Sequence, residues 1–182
     1  MPKWSYIGRG TYNDVYINQD RTMVLKIKKT HSFGQLPATD LPERSVRLWN
    51  EFNGDKFQGR KAELHSTEID DPTHNRQGRY HGWVCPYVEG RQASDEEISN
   101  ALIEIFNKTG RIVVDAPSPK NFITTPSGEV VCVDIGYALQ AQLQEEREIT
   151  GNSIRRECLK MIAKAENNPT YQPSSTALRS AP

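Results

Sequence analysis

Two aspartates and one asparagine within residues 111–136, RIVVDAPSPKNFITTPSGEVVCVDIG, are the residues best suited to chemistry. Asp115 closes the apolar run Ile112, Val113, Val114. Asp134 closes the run Val130, Val131, Cys132, Val133 and is followed by Ile135 and Gly136. Asn121 stands between them, just before the strand-like FITT, and the turn Pro126-Ser127-Gly128-Glu129 folds the second run back as a short hairpin. Converging at one end of a small sheet, the three would offer hard oxygen ligands for a divalent cation and a carboxylate able to accept a proton. The plainer reading makes Asp115 and Asn121 turn residues around Ala116-Pro117-Ser118-Pro119. A lone Asp-x-Gly is a weak signal, and the spaced set is more specific.

Two earlier stretches would complement that set. Gly8-Arg9-Gly10-Thr11-Tyr12-Asn13-Asp14-Val15 lies between two strands, so it is a hairpin loop and not a strand-to-helix turn. Its glycines would let backbone N–H groups approach phosphate closely. Asn13 stands where a third glycine is expected, and Asn is the next most tolerant of positive φ. The alternative is an ordinary glycine-containing hairpin. In Val24-Leu25-Lys26-Ile27 a lysine interrupts an apolar strand, which is unusual without a partner. Lys26 either reaches phosphate oxygens, held by Glu51 or Glu43 of the following helix, or points to solvent from an edge strand. Glu51, among Trp49 and Phe52, is the better partner; Glu43 is also explained by the helix dipole.

The elements that must position these residues read as follows. Residues 4–29 form three antiparallel strands, and 30–42 form a loop. The apolar spacing over 43–57 predicts a helix ending at Gly54. Residues 58–79 read mostly as loop, with one strand near Ala62 to Leu64. YHGWVCPYVEG is a strand ending in a linker. Ser94-Asp95-Glu96-Glu97 is a capping box for a helix carrying Ile98, Leu102, Ile103, Ile105 and Phe106, which ends at Lys108-Thr109-Gly110. Residues 139–166 read as helical with a break at Thr150-Gly151-Asn152, and the Pro/Ser-rich tail 167–182 as disordered.

Bulk properties narrow the function classes. The 182 residues suit one modest domain or two small lobes, and a hydrophobic content of 36% implies a lean core. Lys+Arg and Asp+Glu both number 23, which argues against nucleic-acid or membrane-surface partners. Three cysteines without a CxxC spacing fit a reducing compartment and no zinc site. No apolar signal-peptide segment or membrane-length run occurs.

The order of features resembles that of protein kinases: glycine-loop hairpin, strand lysine, helix with glutamate, hinge strand, helix, Asp-loop-Asn, hairpin, Asp-x-Gly. The resemblance covers roughly residues 4–140. It implies an α+β fold, two-lobed, with a β-rich N-lobe (about 1–86) and a strongly truncated helical C-lobe (about 91–166) in a minimal domain over 1–166. It also implies ATP and Mg²⁺, with Mn²⁺ as a substitute. Gly8, Gly10 and Asn13 would cover the phosphates, and Lys26 would hold them, oriented by Glu51 or Glu43. Ile7, Val15 and Val24 would take adenine between the lobes. The backbone N–H of Tyr87 or Val88 would serve as hinge donor, because Pro86 has none. Asn121 and Asp134 would ligate the metal, and Asp115 would accept the substrate proton.

Within the kinases the chain is most similar to the very small type III secreted effector kinases, the OspG/NleH and HopBF groups. The similarity lies in Leu48-Trp49-Asn50-Glu51-Phe52-Asn53-Gly54-Asp55, in Tyr87-Val88-Glu89-Gly90, and over residues 107–115. It implies a monomeric bacterial virulence effector, secreted without a cleaved signal peptide. Such an effector phosphorylates a host protein, in the ubiquitin machinery or the Hsp90 chaperone, in the host cytoplasm. The departures matter too. The Asp115–Asn121 loop is one residue longer than HRDxxxxN, Val113 replaces the bracing His, and no Ala-Pro-Glu follows Asp134. Lys120 could supply the loop's positive charge. A non-catalytic pseudokinase module and an aminoglycoside-type small-molecule phosphotransferase are the competing readings.

Overall fold

The computed structural model describes residues 3–10, 13–29, 41–113, 119–136 and 138–139. The architecture is mixed α+β, and the chain divides into two compact units, Met1–Tyr87 and Val88–Pro182.

The first unit is a five-stranded antiparallel sheet of order β1-β2-β3-β5-β4. Its elements are β1 (Trp4–Arg9), β2 (Asn13–Asn18), β3 (Met23–Lys28), α1 (Pro42–Asn53), β4 (Glu63–Asp71) and β5 (Arg76–Pro86). The β2–β3 turn is made by side chains: Asn18 Oδ1 accepts from the N–H groups of Thr22 and Met23, both at 2.9 Å. This is the local backbone pairing that makes Asn a turn residue.

One face of the sheet carries Tyr16, Leu25, Ile27, Ile69 and Val84, covered by Trp4, Tyr6, Met23 and Tyr80. Full burial of such side chains contributes about 1.5–3 kcal/mol each. Among the described residues the sheet itself closes over this face by curling. The opposite edge strands meet where Trp4 of β1 lies edge-on to His65 of β4, 5.8 Å between ring centres. The other face receives α1. Its buried residues Ser45, Leu48, Trp49, Phe52 and Asn53 recur at i, i+3, i+4, i+7 and i+8, a single helical stripe. Trp49 packs against Trp83 of β5 at 6.5 Å. Asn50 pins the segment after the helix, accepting from the Ala62 N–H at 2.8 Å and donating to its carbonyl at 2.9 Å.

The three N-terminal strands and the helix ending at Gly54 stand as the sequence predicts. The reading of 58–79 as mostly loop is corrected: β4 and β5 pair from Glu63↔Val84 to Asp71↔Arg76. Only Ile69 of β4 is buried, so an edge strand with water on much of its surface looks like a polar loop in sequence.

In the second unit, β6 (Arg91–Gln92), β8 (Phe122–Thr124) and β9 (Val130–Cys132) form one sheet, and β7 (Ile112–Val113) pairs with β10 (Ala138–Leu139). The helix α2 (Asp95–Thr109) begins with the predicted capping box, Ser94 and Glu97 each bonding the other's backbone N–H, and ends at Gly110 with φ 69°. Ile98, Ala101, Leu102 and Ile103 face its core. Glu97 does more than cap. It accepts from Arg91 at 2.7 and 2.8 Å and from Thr124 Oγ1 at 3.0 Å, tying the helix start to β6 and β8. These bonds, led by that from Arg91, hold the Glu97 carboxyl down at about 2. Leu139 is in a strand, so the predicted helix does not begin there; the rest of that helix and the tail lie outside the described residues.

Candidate functional site

In the first unit, β2 and β3 bring together three of the residues expected at a nucleotide site. Val15 and Lys26 are direct antiparallel partners, so their side chains emerge on one face. Val24, two residues before Lys26, shares that face, opposite Cys85 of β5. The Lys26 ammonium stands 4.9 Å from the centre of the Trp83 ring. Cys85 is buried, and burial pushes its thiol up to about 12 against the opposing pull of the Lys26 charge. It is a neutral packing group, not a nucleophile.

The hairpin between β1 and β2 is closed by a hydrogen bond from the Gly10 N–H to the Asn13 carbonyl, 2.8 Å. Among the described residues, a Cβ at Gly8 would meet no atom within 4 Å, and one at Gly10 only the Asn13 carbonyl at 3.7 Å. The packing of the described residues therefore does not demand glycine at Gly8 or Gly10. Room for a ligand close to the backbone is a use that fits. Asn13 is an ordinary strand residue paired with Lys28. It is not among the described positive-φ residues, so the expected left-handed role is corrected. Thr11 and Tyr12 lie outside the described residues. Ile7 is 46% exposed. Glu51 is half-buried in the last turn of α1, whereas Glu43 is exposed in its first turn.

The hinge expectation narrows. The Tyr87 N–H donates to the Thr22 carbonyl at 2.8 Å, extending the β3–β5 ladder. It is spent on the sheet, and Pro86 has no N–H. The expectation of a hinge donor therefore falls to Val88.

In the second unit, Asn121 and Asp134 stand at the same end of the β8–β9 hairpin. Phe122 pairs with Cys132, and one step further the Val133 N–H donates to the Asn121 carbonyl at 2.8 Å. Asn121 is 6% exposed, and Asp134 is exposed. The pair supplies hard oxygen donors of the kind Mg²⁺ prefers. Among the described residues no group of three or more His, Cys, Asp and Glu is gathered as a metal cluster. Asp115 lies outside the described residues, two positions beyond β7, whose Val113 pairs with Ala138 downstream of Asp134.

Sequence reading missed a buried ionic group at the glycine hairpin. Asp14 and Arg76 are paired at 2.7 Å, with side-chain exposures of 1% and 2%. Asp14 also accepts from Arg9 at 3.0 Å. The one available signal was an aspartate beside the apolar Val15.

No family model matches the chain, and no curated protein matches it. Among solved structures it is similar to the 2.2 Å crystal structure of WbdD, at 13% identity and a TM-score of 0.37. The match covers 98% of this chain and 49% of that one, so the chain spans about half the length of that structure.

Proposed function

We propose that the chain is an ATP-dependent protein kinase of the minimal, two-lobed effector type, transferring the γ-phosphate to a hydroxyl of a host protein. One observation carries the reading. Val15 and Lys26 are cross-strand partners at the exit of a glycine hairpin whose glycines the packing of the described residues does not require. A lysine on an apolar, ring-lined face beside a backbone-rich loop suits a triphosphate better than it suits solvent.

Phosphoryl transfer needs positioning and charge neutralisation more than covalent help. Backbone N–H groups of the 8–13 hairpin, other than that of Gly10, which closes the turn, would bind phosphate oxygens. Lys26 would hold the α- and β-phosphates, with half-buried Glu51 as its orienting carboxylate. Val15, Val24 and Ile7 would contact adenine, and the Val88 N–H would fix its edge. Asn121 and Asp134 would hold Mg²⁺, which when bound neutralises charge on the transferred group. Asp115 would accept the proton of the substrate hydroxyl.

The test is the purified chain with γ-labelled ATP, Mg²⁺ and a host-cell extract. Label on a protein band supports the proposal. Label transferred only to small molecules points to the aminoglycoside-type alternative. Nucleotide binding without turnover points to a pseudokinase module.

A further inference from the structure

The turn between β4 and β5 reaches across the curled sheet and grips the base of the glycine hairpin at three points. His74 stacks on Tyr6 of β1, 3.7 Å between ring centres. Asp71 accepts from Tyr16 Oη of β2 at 3.1 Å and contacts His74 Nδ1 at 2.8 Å. Arg76 donates to Asp14 Oδ2 through Nε at 3.2 Å and Nη2 at 2.7 Å, and also to the Lys28 carbonyl. Arg9 takes the other Asp14 oxygen, Oδ1, at 3.0 Å. Arg9 and Asp14 are themselves the cross-strand pair that flanks the loop.

A buried ion pair is a poor way to gain stability, because desolvation consumes most of the Coulomb attraction and apolar residues of similar volume serve as well or better. What such a pair does supply is a fixed geometry. Here the fixed object is the Arg9–Asp14 strand pair at the base of the glycine hairpin.

We infer that Arg76, acting through Asp14, is a positioning residue for phosphate binding. It holds Arg9 and Asp14, the two strand residues that flank the hairpin loop, in place before nucleotide arrives. The inference rests on the nucleotide-binding reading above. It assigns the β4–β5 turn, remote in sequence from every motif residue, to the same site. Preorganisation of this kind raises affinity by sparing the ligand the ordering of those strand ends. Its effect falls more on the phosphates, set against the hairpin, than on adenine, which Ile7 and Val15 would touch only through apolar side chains.

The experiment compares ATP–Mg²⁺ and adenosine binding by titration calorimetry on the full chain. The variants are Asp14→Asn, which keeps the shape and one acceptor oxygen, and the apolar double substitution Asp14→Leu/Arg76→Met, chosen to keep the volume filled. In both, ATP affinity should fall about tenfold while adenosine affinity stays within about twofold. If either folded variant binds ATP as tightly as the wild type, or loses ATP and adenosine equally, Arg76 is only a structural residue and the inference is overturned. A wild-type chain that binds neither ligand sinks the nucleotide reading itself, a result distinct from insensitivity of the variants.

Discussion

Lys26 and Trp83 are direct partners across β3 and β5, and the lysine ammonium lies 4.9 Å from the centre of the indole. Contact of this kind is worth about 0.5–2 kcal/mol, more as the cation is desolvated. It holds the charge on the face that carries Val15 and Val24 and keeps it from trailing into water. Lys26→Met retains the stem and removes the charge. Transfer of labelled phosphate should fall by at least about a hundredfold, with the thermal midpoint close to that of the wild type. A Lys26→Met variant that is folded and fully active would exclude lysine from the phosphate site.

Two glycines of the first unit separate packing from function. A Cβ at Gly82 would collide with the Lys26 carbonyl and lie 2.8 Å from Ile27 Cγ2, whereas one at Gly8 meets no atom of the described residues within 4 Å. Gly82→Ala should cost about 1–3 kcal/mol in denaturant unfolding. Gly8→Ala should change stability by no more than about 0.5 kcal/mol and still weaken ATP binding. Equal effects of the two on stability would refute the packing account of Gly82.

Asp134 is exposed, and its neighbour across the hairpin end, Asn121, is buried. Asp134→Ala should therefore leave the melting curve nearly unchanged while raising the Mg²⁺ concentration needed for half-maximal transfer by at least about tenfold. A magnesium titration of wild type and variant checks this, and unchanged magnesium dependence would remove Asp134 from the metal site.

Acid should loosen the second unit through Glu97, whose carboxyl is lowered from an ordinary 4.5 to about 2. A depressed folded-state pKa contributes stability that is complete above pH 4.5 and is lost as pH falls towards about 2. Glu97→Gln keeps much of the shape and removes the charge paired with Arg91. Unfolding followed between pH 6 and pH 2 should then show a shallower loss of stability in the variant than in the wild type. Parallel curves would mean that other groups dominate.

Ser94→Ala deletes the other half of the capping box and should cost about 1 kcal/mol. The helical circular-dichroism signal during denaturant unfolding reads this directly.

Much of the local structure was legible because its causes are local. Asn18 and Asp20 make the β2–β3 turn with their own side chains. Ser94 and Glu97 announce the start of α2, and Gly110 its end, through positive φ that other residues avoid. The apolar stripe of α1 is read from spacing alone. Lys26 was legible as an anomaly, a charge within an apolar strand.

The remainder depended on partners distant in the chain. β4 looks like loop because an edge strand need bury only Ile69, so its strand character comes from pairing with β5. Tyr87 was a fair choice as hinge donor until Thr22 claimed its N–H, a ladder bond that register decides and residue type does not. Arg76 met Asp14 across 62 positions, through the curl that brings the β4–β5 turn onto β1 and β2. By itself the sequence determined the turns, caps, helix faces and residue types of a candidate phosphoryl-transfer set, because short-range hydrogen bonding and apolar spacing encode them. Only the tertiary structure decided which backbone donors remain for a ligand and which buried pair holds the glycine hairpin, because both follow from strand register and sheet curvature.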